Sequence, residues 1–385
     1  MSVTAAQGFR AAGVAAGIKS SGALDLALVV NDGPTSAAAG VFTRNQVKAA
    51  PVLWSTQVLT GGRLRAVVLN SGGANACTGP AGFQDTHASA ERVAALLGCG
   101  AIDVAVCSTG LIGQRLPRQA LLSGIDAANA ALAATPQAGL AAATAVLTTD
   151  TVPKQAVVSG TGWTAGGFAK GAGMIAPSLA TLLCVLTTDA VVDAPTLDTV
   201  LRSAATATFE RLDIDGTCST NDTVLLLASG ASGVVPDRSE FATAVQQVCH
   251  ELVKRLQADA EGVTKEITIT VRTAASDADA LAAARAVARD NLVKTAFFGS
   301  DPNWGRIAAA VGASPATVQA SSLDIQINGV MLCQGGALAV ERTKADLSGR
   351  EITVEIDLHL GTGCATVLTT DLSHGYVEEN SAYPS

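Results

Sequence analysis

One stretch places residue types suited to nucleophilic chemistry side by side: Lys170-Gly171-Ala172-Gly173-Met174-Ile175-Ala176-Pro177-Ser178-Leu179-Ala180-Thr181-Leu182-Leu183. Its first half is a glycine-rich loop with one lysine, and from Leu182 to Leu186 it is apolar. Thr181 sits at the junction, after a small residue. A threonine hydroxyl inside a chain is a poor nucleophile because no base is built in beside it; at a chain start its own α-amine serves as that base. With an unperturbed pKa of about 7.7–8.0, that amine takes up a proton near neutral pH. The Ala180–Thr181 bond is therefore a candidate self-cleavage site, and Thr181 the nucleophile it releases. The same residues also read as a glycine turn entering a buried strand. The spacing Gly171-x-Gly173-x-x-Ala176, with Asp189 beyond it, mimics a dinucleotide fingerprint, but that fingerprint needs a helix opening at the loop. Pro177 and the apolar run after it do not supply one.

A second polar cluster runs Asp213-Ile214-Asp215-Gly216-Thr217-Cys218-Ser219-Thr220-Asn221-Asp222. Two aspartates and several hydroxyls suggest calcium, yet counted from Asp213 the loop lacks the placed glycine and distal glutamate of an EF-hand. Four scattered histidines argue against a histidine-rich centre, and no metal is expected. Between these clusters the chain alternates strand and helix patterns. Strands are expected at residues 24–30, 66–69, 102–107, 224–228 and 323–327, with a hairpin at 155–158 and 163–170. Two alternating rows, Ile267/Ile269/Val271 and Ile352/Val354/Ile356/Leu358/Leu360, read as half-buried strands. His359 lies opposite the second row, which makes it a solvated or second-layer histidine rather than a catalytic one. Helical spacing covers 85–97, 116–135, 138–147, 195–212, 236–256 and 277–294. Ala49-Ala50-Pro51-Val52 reads as an extended pre-proline segment.

With 385 residues, 48% hydrophobic and 15% charged, the chain can bury one large core or two moderate ones. Aromatics are only 3% against 38 glycines, so Ala, Val and Leu do the packing. A net charge of −8 repels phosphate and disfavours nucleic acid. The first residues lack a basic start with an apolar core, and no run of about 18 uncharged apolar residues is present to span a membrane. Eight cysteines without a C-x-x-C pair favour free thiols in a reducing cytoplasm.

The Lys170–Thr181 stretch resembles the Lys-Gly-x-Gly-Met-Ile-x-Pro-x-(Met/Leu)-Ala-Thr signature of the ornithine acetyltransferase family, the bifunctional glutamate N-acetyltransferases of arginine biosynthesis. The likeness runs from about Gly8 to the C-terminus. It includes Val41-Phe42-Thr43 with Ala49-Ala50-Pro51-Val52, Thr148-Thr149-Asp150-Thr151 with Lys154, Glu261-Gly262-Val263-Thr264-Lys265, and Asp301-Pro302-Asn303-Trp304-Gly305-Arg306. Asn70-Ser71-Gly72-Gly73-Ala74-Asn75-Ala76 departs from the family at Gly73, where an asparagine is usual, so no side-chain role is carried there. The Asp213–Asp222 loop departs at Thr217-Cys218, and the resemblance makes it an active-site scaffold.

The resemblance implies an α+β fold with αββα layering, like that of the N-terminal-nucleophile enzymes. It implies self-cleavage into an α chain, 1–180, and a β chain, 181–385, that form one intertwined catalytic unit, two of each per heterotetramer. The activity implied is ping-pong transfer of acetyl from N2-acetylornithine to glutamate through an acetyl-Thr181 enzyme. The oxyanion hole falls to Thr109 and Gly110, in a loop otherwise readable as a strand–helix connection. Substrate contacts fall to Thr148, Lys170, Thr181, Glu261, Asn380 and Ser385. Asn303 and Arg306 either frame the pocket or form a turn with a capping arginine. No cofactor is implied, and acetyl-CoA stays open as a co-substrate. An amidohydrolase or aminopeptidase with the same nucleophile is the rival reading, and a non-catalytic dinucleotide-binding module a more distant one.

Overall fold

The computed structural model describes residues 2–176 and 182–382, so Ala180, Thr181 and Ser385 lie outside the described residues. The chain forms two compact units. The first holds residues up to Glu210 and Thr217–Leu256. Its strands are β1 (Phe9–Val14), β2 (Leu26–Asn31), β3 (Ala37–Phe42), β4 (Ala66–Asn70), β5 (Val104–Ser108), β6 (Lys154–Gly160), β7 (Trp163–Lys170), β8 (Leu183–Thr188) and β9 (Thr223–Ala228). Its helices are α1 (Ala50–Val58), α2 (Gly79–Leu97), α3 (Arg118–Ala130), α4 (Pro136–Ala145), α5 (Ala194–Ala207) and α6 (Arg238–Ala258), whose end reaches the second unit.

Among the described residues the first unit has a four-stranded sheet, β1-β2-β4-β5, and a five-stranded sheet, β3-β9-β8-β7-β6. Only β4/β5 and β8/β9 run parallel in them. The two sheets share one core: Leu28 and Val67 from the first meet Phe168, Leu183, Val185 and Leu225 from the second. Side chains alternate across a strand, so Cys184 faces away from that core, beside Cys249 of α6. Helices α2 and α3 flank the first sheet, and α5 packs on β3 of the second. The layering is thus helix, sheet, sheet, helix, as expected. The second sheet takes strands from both sides of residue 180, since β8 pairs with β7 and β9 with β3.

The second unit comprises Arg211–Gly216 and the chain from Gln257 on. It has β10 (Glu266–Ala274), α7 (Asp277–Arg289), α8 (Asn291–Phe298), α9 (Trp304–Ala313), β11 (Asp324–Ile327), β12 (Val330–Gln334), β13 (Ala337–Leu338), β14 (Glu351–Asp357), β15 (Gly363–Thr370) and α10 (His374–Ala382). Among the described residues the strands form one sheet, β13-β12-β11-β14-β10-β15. Ile267, Ile269, Val271, Ile352, Val354 and Ile356 pack with Val287 of α7 and Ile307 of α9. The opposite face carries Thr270 against Thr366 and Arg272 against Glu355, as a one-sided sheet requires.

Several expectations are corrected. Residues 49–52 are not extended: only Ala49 is (ψ 152°), and Pro51 lies in the first turn of α1, where its missing N–H costs nothing. The helix expected over 277–294 is two, because Asp290 ends α7 in extended backbone and caps α8 by accepting from Val293 N–H at 2.9 Å. Asn303 caps α9 by accepting from Arg306 N–H, and Arg306 donates to the Leu292 carbonyl at 2.6 Å, so this pair braces helices. The strand expected to include Leu358 and Leu360 ends at Asp357. His359 lies exposed, 2.9 Å from Asp324, as a solvated histidine should. All eight cysteines are free thiols, and no helix among the described residues is long and apolar enough to cross a membrane.

Leu225 is fully buried where the two sheets meet, while Val235 is 74% exposed. Leu225→Ala is expected to cost about 2–5 kcal/mol and Val235→Ala less than about 0.5 kcal/mol, measured as the shift in urea midpoint.

Candidate active site

Thr109 and Gly110 follow the C-terminal end of β5. Thr109 N–H donates to the Asn70 carbonyl (3.0 Å) and its carbonyl accepts from Gly73 N–H (3.0 Å). Gly110 has φ +124°, and a Cβ there would sit 2.6 Å from Gly73 N; only glycine tolerates both the angle and the approach. One expectation changes here. The Thr109 amide is already committed, so Thr109 can offer an oxyanion its hydroxyl, whereas Gly110 N–H makes no hydrogen bond among the described residues.

The Thr109 hydroxyl lies 3.4 Å from Lys170 Nζ, which also donates to Thr148 Oγ1 at 2.7 Å. Thr109, Thr148 and Lys170 therefore come together. What gathers them is a residue the sequence reading did not single out. Asp150 Oδ1 accepts from Lys154 Nζ (2.6 Å) and Gly171 N–H (2.6 Å), while Oδ2 accepts from Thr148 N–H (3.2 Å) and lies 3.5 Å from Lys170 Nζ. Lys154 and Lys170 are each 1% exposed. Burial alone would push the Asp150 carboxyl up, but Lys170, Lys154 and the Gly171 N–H outweigh it and hold it well below the usual carboxylate range. Lys19 stands nearby, its ammonium capped by the carbonyls of Leu24 and Leu147. Burial lowers its pKa; Asp25 opposes that, and Lys170 adds to it.

The first described residue after the junction is held from both sides. Leu182 N–H donates to Asp222 Oδ1 (3.1 Å), and its carbonyl accepts from Thr223 N–H (2.8 Å). Next door, Asn221 Nδ2 donates to the carbonyls of Ala74 (2.6 Å) and Ser108 (2.8 Å). Residues 221–223 thus tie the start of β8 to the loop that carries Thr109 and Gly110. No helix follows the 171–176 loop among the described residues; the chain re-enters as β8, which removes the dinucleotide fingerprint's structural requirement.

In the second unit, Glu261 and Asn380 meet: Asn380 Nδ2 donates to Glu261 Oε2 at 2.8 Å. Gly262 allows this, since it has φ +61° and a Cβ on it would lie 2.0 Å from Tyr376 N. Asp213 pairs with Arg289 at 2.7 Å, a structural tie.

The pattern that defines the ArgJ family matches residues 10–385. The chain belongs to the ArgJ family. It is 63% identical over 389 residues to an arginine biosynthesis bifunctional protein ArgJ of Mycolicibacterium paratuberculosis, covering 100% of this chain and 96% of that one. The protein of the same name from Thermobifida fusca is 57% identical over 383 residues, covering 100% of both chains. A crystal structure of ornithine acetyltransferase complexed with ornithine, from Mycobacterium tuberculosis, is 66% identical over 47% of this chain and 96% of that chain, with a TM-score of 0.46.

Asp150, Lys154, Asn221 and Asp222 lie within or beside ArgJ-like segments, yet sequence alone shows them as turn polars. The available signal was the placing of lysines at one end of the β6–β7 hairpin, where Lys154 opens one strand and Lys170 closes the other. Breaking such a buried pair costs about 3–5 kcal/mol, and Asp150→Asn is expected to lower stability at pH 7 by that order. The sign with pH follows from a depressed folded pKa. The contribution is full above the unfolded value of about 3.9 and shrinks as pH falls below it toward the lower folded value. Urea melts of both proteins at pH 7 and pH 3 should show the gap closing at the lower pH.

Proposed function

We propose that the chain is a glutamate N-acetyltransferase of arginine biosynthesis, moving acetyl from N2-acetylornithine to glutamate through an ester on Thr181. The observation that carries this is the family match, which spans residues 10–385 and so includes the Thr109, Thr148 and Lys170 cluster.

In the proposed maturation, Thr181 Oγ adds to the Ala180 carbonyl, the C–N bond breaks, and water hydrolyses the resulting ester. The products are an α chain, 1–180, and a β chain, 181–385, in a heterotetramer of two each. In the proposed cycle the new α-amine takes the hydroxyl proton as Oγ attacks the acetyl carbonyl. The Thr109 hydroxyl and Gly110 N–H hold the oxyanion. Ornithine leaves with the proton, and the glutamate amine then takes the acetyl group from the ester.

Both substrates carry an α-amino acid head, and Lys170 with the Thr148 hydroxyl offers a cation and a donor for its carboxylate. Glu261 is assigned to the ornithine side-chain ammonium, with Asn380 orienting it, and Ser385 to a carboxylate. An amide donor is hard to cleave, so alignment must carry much of the rate; well-oriented attack is worth about 7–11 kcal/mol. The proposed setting is the cytoplasm and no cofactor takes part. Acetyl-CoA is a proposed second acetyl donor, in keeping with the word bifunctional in the relatives' names.

Two outcomes are expected. Thr181→Ala should give one uncleaved band on a denaturing gel and no acetyl transfer, and transfer by an intact chain would remove the nucleophile assignment. Thr109→Ala should lower kcat by about 10²–10³, or roughly 2.7–4 kcal/mol, with Thr109→Ser retaining most activity. The ornithine assay is run with and without glutamate: acceleration marks a transferase, and indifference to glutamate marks a hydrolase.

A further inference from the structure

Lys19 is a charged residue at the candidate site to which the proposed cycle gives no role. Its backbone is set by Asp25, which is 0% exposed and accepts from the amides of Ala16 (2.6 Å), Ile18 (2.6 Å) and Lys19 (2.9 Å). Gly17, at φ +84°, lets the chain wrap the carboxylate this tightly. Lys19 is half-buried, and its Nζ donates to the carbonyls of Leu24 (3.1 Å) and Leu147 (2.7 Å). An ammonium carries three N–H donors, and the third has no partner among the described residues.

Two contacts tie this group to the site. Leu147 is bonded to Thr148, whose hydroxyl accepts from Lys170 Nζ at 2.7 Å, and Lys170 Nζ lies 3.4 Å from the Thr109 hydroxyl. The Lys19 stem also rests on Gly72. A Cβ on Gly72 would be 3.2 Å from Lys19 Cγ, and a Cβ on Gly110 would be 2.8 Å from the Gly72 carbonyl carbon. Gly72 therefore touches both Lys19 and the glycine assigned to the oxyanion.

The charges here do not balance. Lys19, Lys154 and Lys170 stand against two carboxylates, Asp25 and Asp150, which leaves one positive charge over. Charge taken out of water is stable when it is paired. Burial and the Lys170 charge both disfavour the Lys19 ammonium, with Asp25 opposing them, and an anion beside it offsets both. Lys170 is 1% exposed and already engaged with Asp150 and Thr148, so Lys19 is the more accessible of the two.

We propose that Lys19 is a substrate-binding residue whose ammonium, with Lys170 and the Thr148 hydroxyl, seats the α-carboxylate that N2-acetylornithine and glutamate share. This rests on the acetyl-transfer reading of the site and adds a contact which that reading did not contain. In an N-acetyl amino acid only the amide nitrogen and Cα separate the acetyl carbonyl from the carboxylate carbon. A group that holds the carboxylate must therefore lie close to the groups that hold the oxyanion, and Lys19 meets that condition across Gly72.

The test is K19M in the full chain, because methionine keeps a long apolar stem and drops the charge. Wild type and K19M are compared on N2-acetylornithine and on its α-carboxamide, in which the carboxylate is replaced by a neutral amide. For the acid, K19M is expected to lower kcat/KM about 10–100-fold, mainly through KM, with no further loss on the carboxamide. The glutamate KM rises by a similar factor, and K19R, which keeps the cation, retains most activity. A purely structural Lys19 predicts that K19M slows both donors alike. That result, or an unchanged KM for the acid, overturns the inference, as does a wild-type chain that turns over acid and carboxamide equally well. K19Q keeps two N–H donors for the Leu24 and Leu147 carbonyls. It is the second variant should K19M fail to fold by circular dichroism, and the same split between acid and carboxamide is expected. A wild-type chain that releases no ornithine from N2-acetylornithine overturns the transfer reading instead, before any variant is compared.

Discussion

Everything at the candidate site depends on one carboxylate being buried between two ammonium groups. Asp150 touches Lys154, Lys170, the Gly171 amide and the Thr148 amide. Moving any one of these charges out of water alone costs several kcal/mol, and mutual attraction repays it only where the geometry is good and the remaining hydrogen bonds are made. The cluster is therefore close to all-or-none. In forming, it fixes three pieces of chain at once: the turn at 148–151, the open end of the β6–β7 hairpin, and the start of the glycine loop that leads to residue 177. Surface pairs of this protein do nothing comparable. Arg272 and Glu355 are both nearly half-exposed, and such pairs are worth about 0–1 kcal/mol.

A second constraint is backbone proximity. Gly110 lies so close to Gly72 and Gly73 that a methyl group would overlap both. The Asn70 carbonyl commits the Thr109 amide and the Gly73 N–H its carbonyl, so the loop presents the Gly110 N–H and a threonine hydroxyl. Across from it, Asn221 holds the Ser108 carbonyl while Asp222 and Thr223 hold Leu182. The parallel β8–β9 register, with Leu183 opposite Thr223, makes this clamp a consequence of the sheet itself. Holding Leu182, the neighbour of the proposed nucleophile, thus uses the same central strands that form the core, and strands buried on both faces are the least free to drift.

Legibility from sequence followed the physics of burial. The rows Ile267/Ile269/Val271 and Ile352/Val354/Ile356 were readable because one face packs on helices and the other meets water. β1 was not, since Phe9-Arg10-Ala11-Ala12-Gly13-Val14 lacks alternation, and its strand state comes from pairing with β2. The break at Asp290 was hidden because Val287 and Val293 continue the apolar pattern across it, and the capping carboxylate looks like any helix-surface acid. Pro51 misled because proline biases its predecessor toward extended backbone, whereas here that bias falls one residue earlier, at the cap. Thr109, Gly110, Thr148 and Lys170 were reached through family likeness. Asp150, Lys154 and Asp222 were named only as members of family-like segments and given no role of their own, because a sequence shows that a residue is polar but not that it is buried.

Charge recognition also bears on how one site can serve two substrates in the proposed cycle. In that proposal Lys170 is assigned to the carboxylate common to both, and such a contact holds either amino acid without telling them apart. Discrimination must come from a group that reads the side chain. A bare carboxylate at Glu261 would favour the ornithine ammonium and repel the glutamate carboxylate, and the second half-reaction would suffer. The Asn380 amide donates to Glu261 Oε2, and a hydrogen bond of this kind disperses part of that charge. It leaves Glu261 attractive to a cation while softening its repulsion of an anion. An enzyme that alternates between a cationic and an anionic side chain needs that compromise, and a dedicated hydrolase with a single substrate does not.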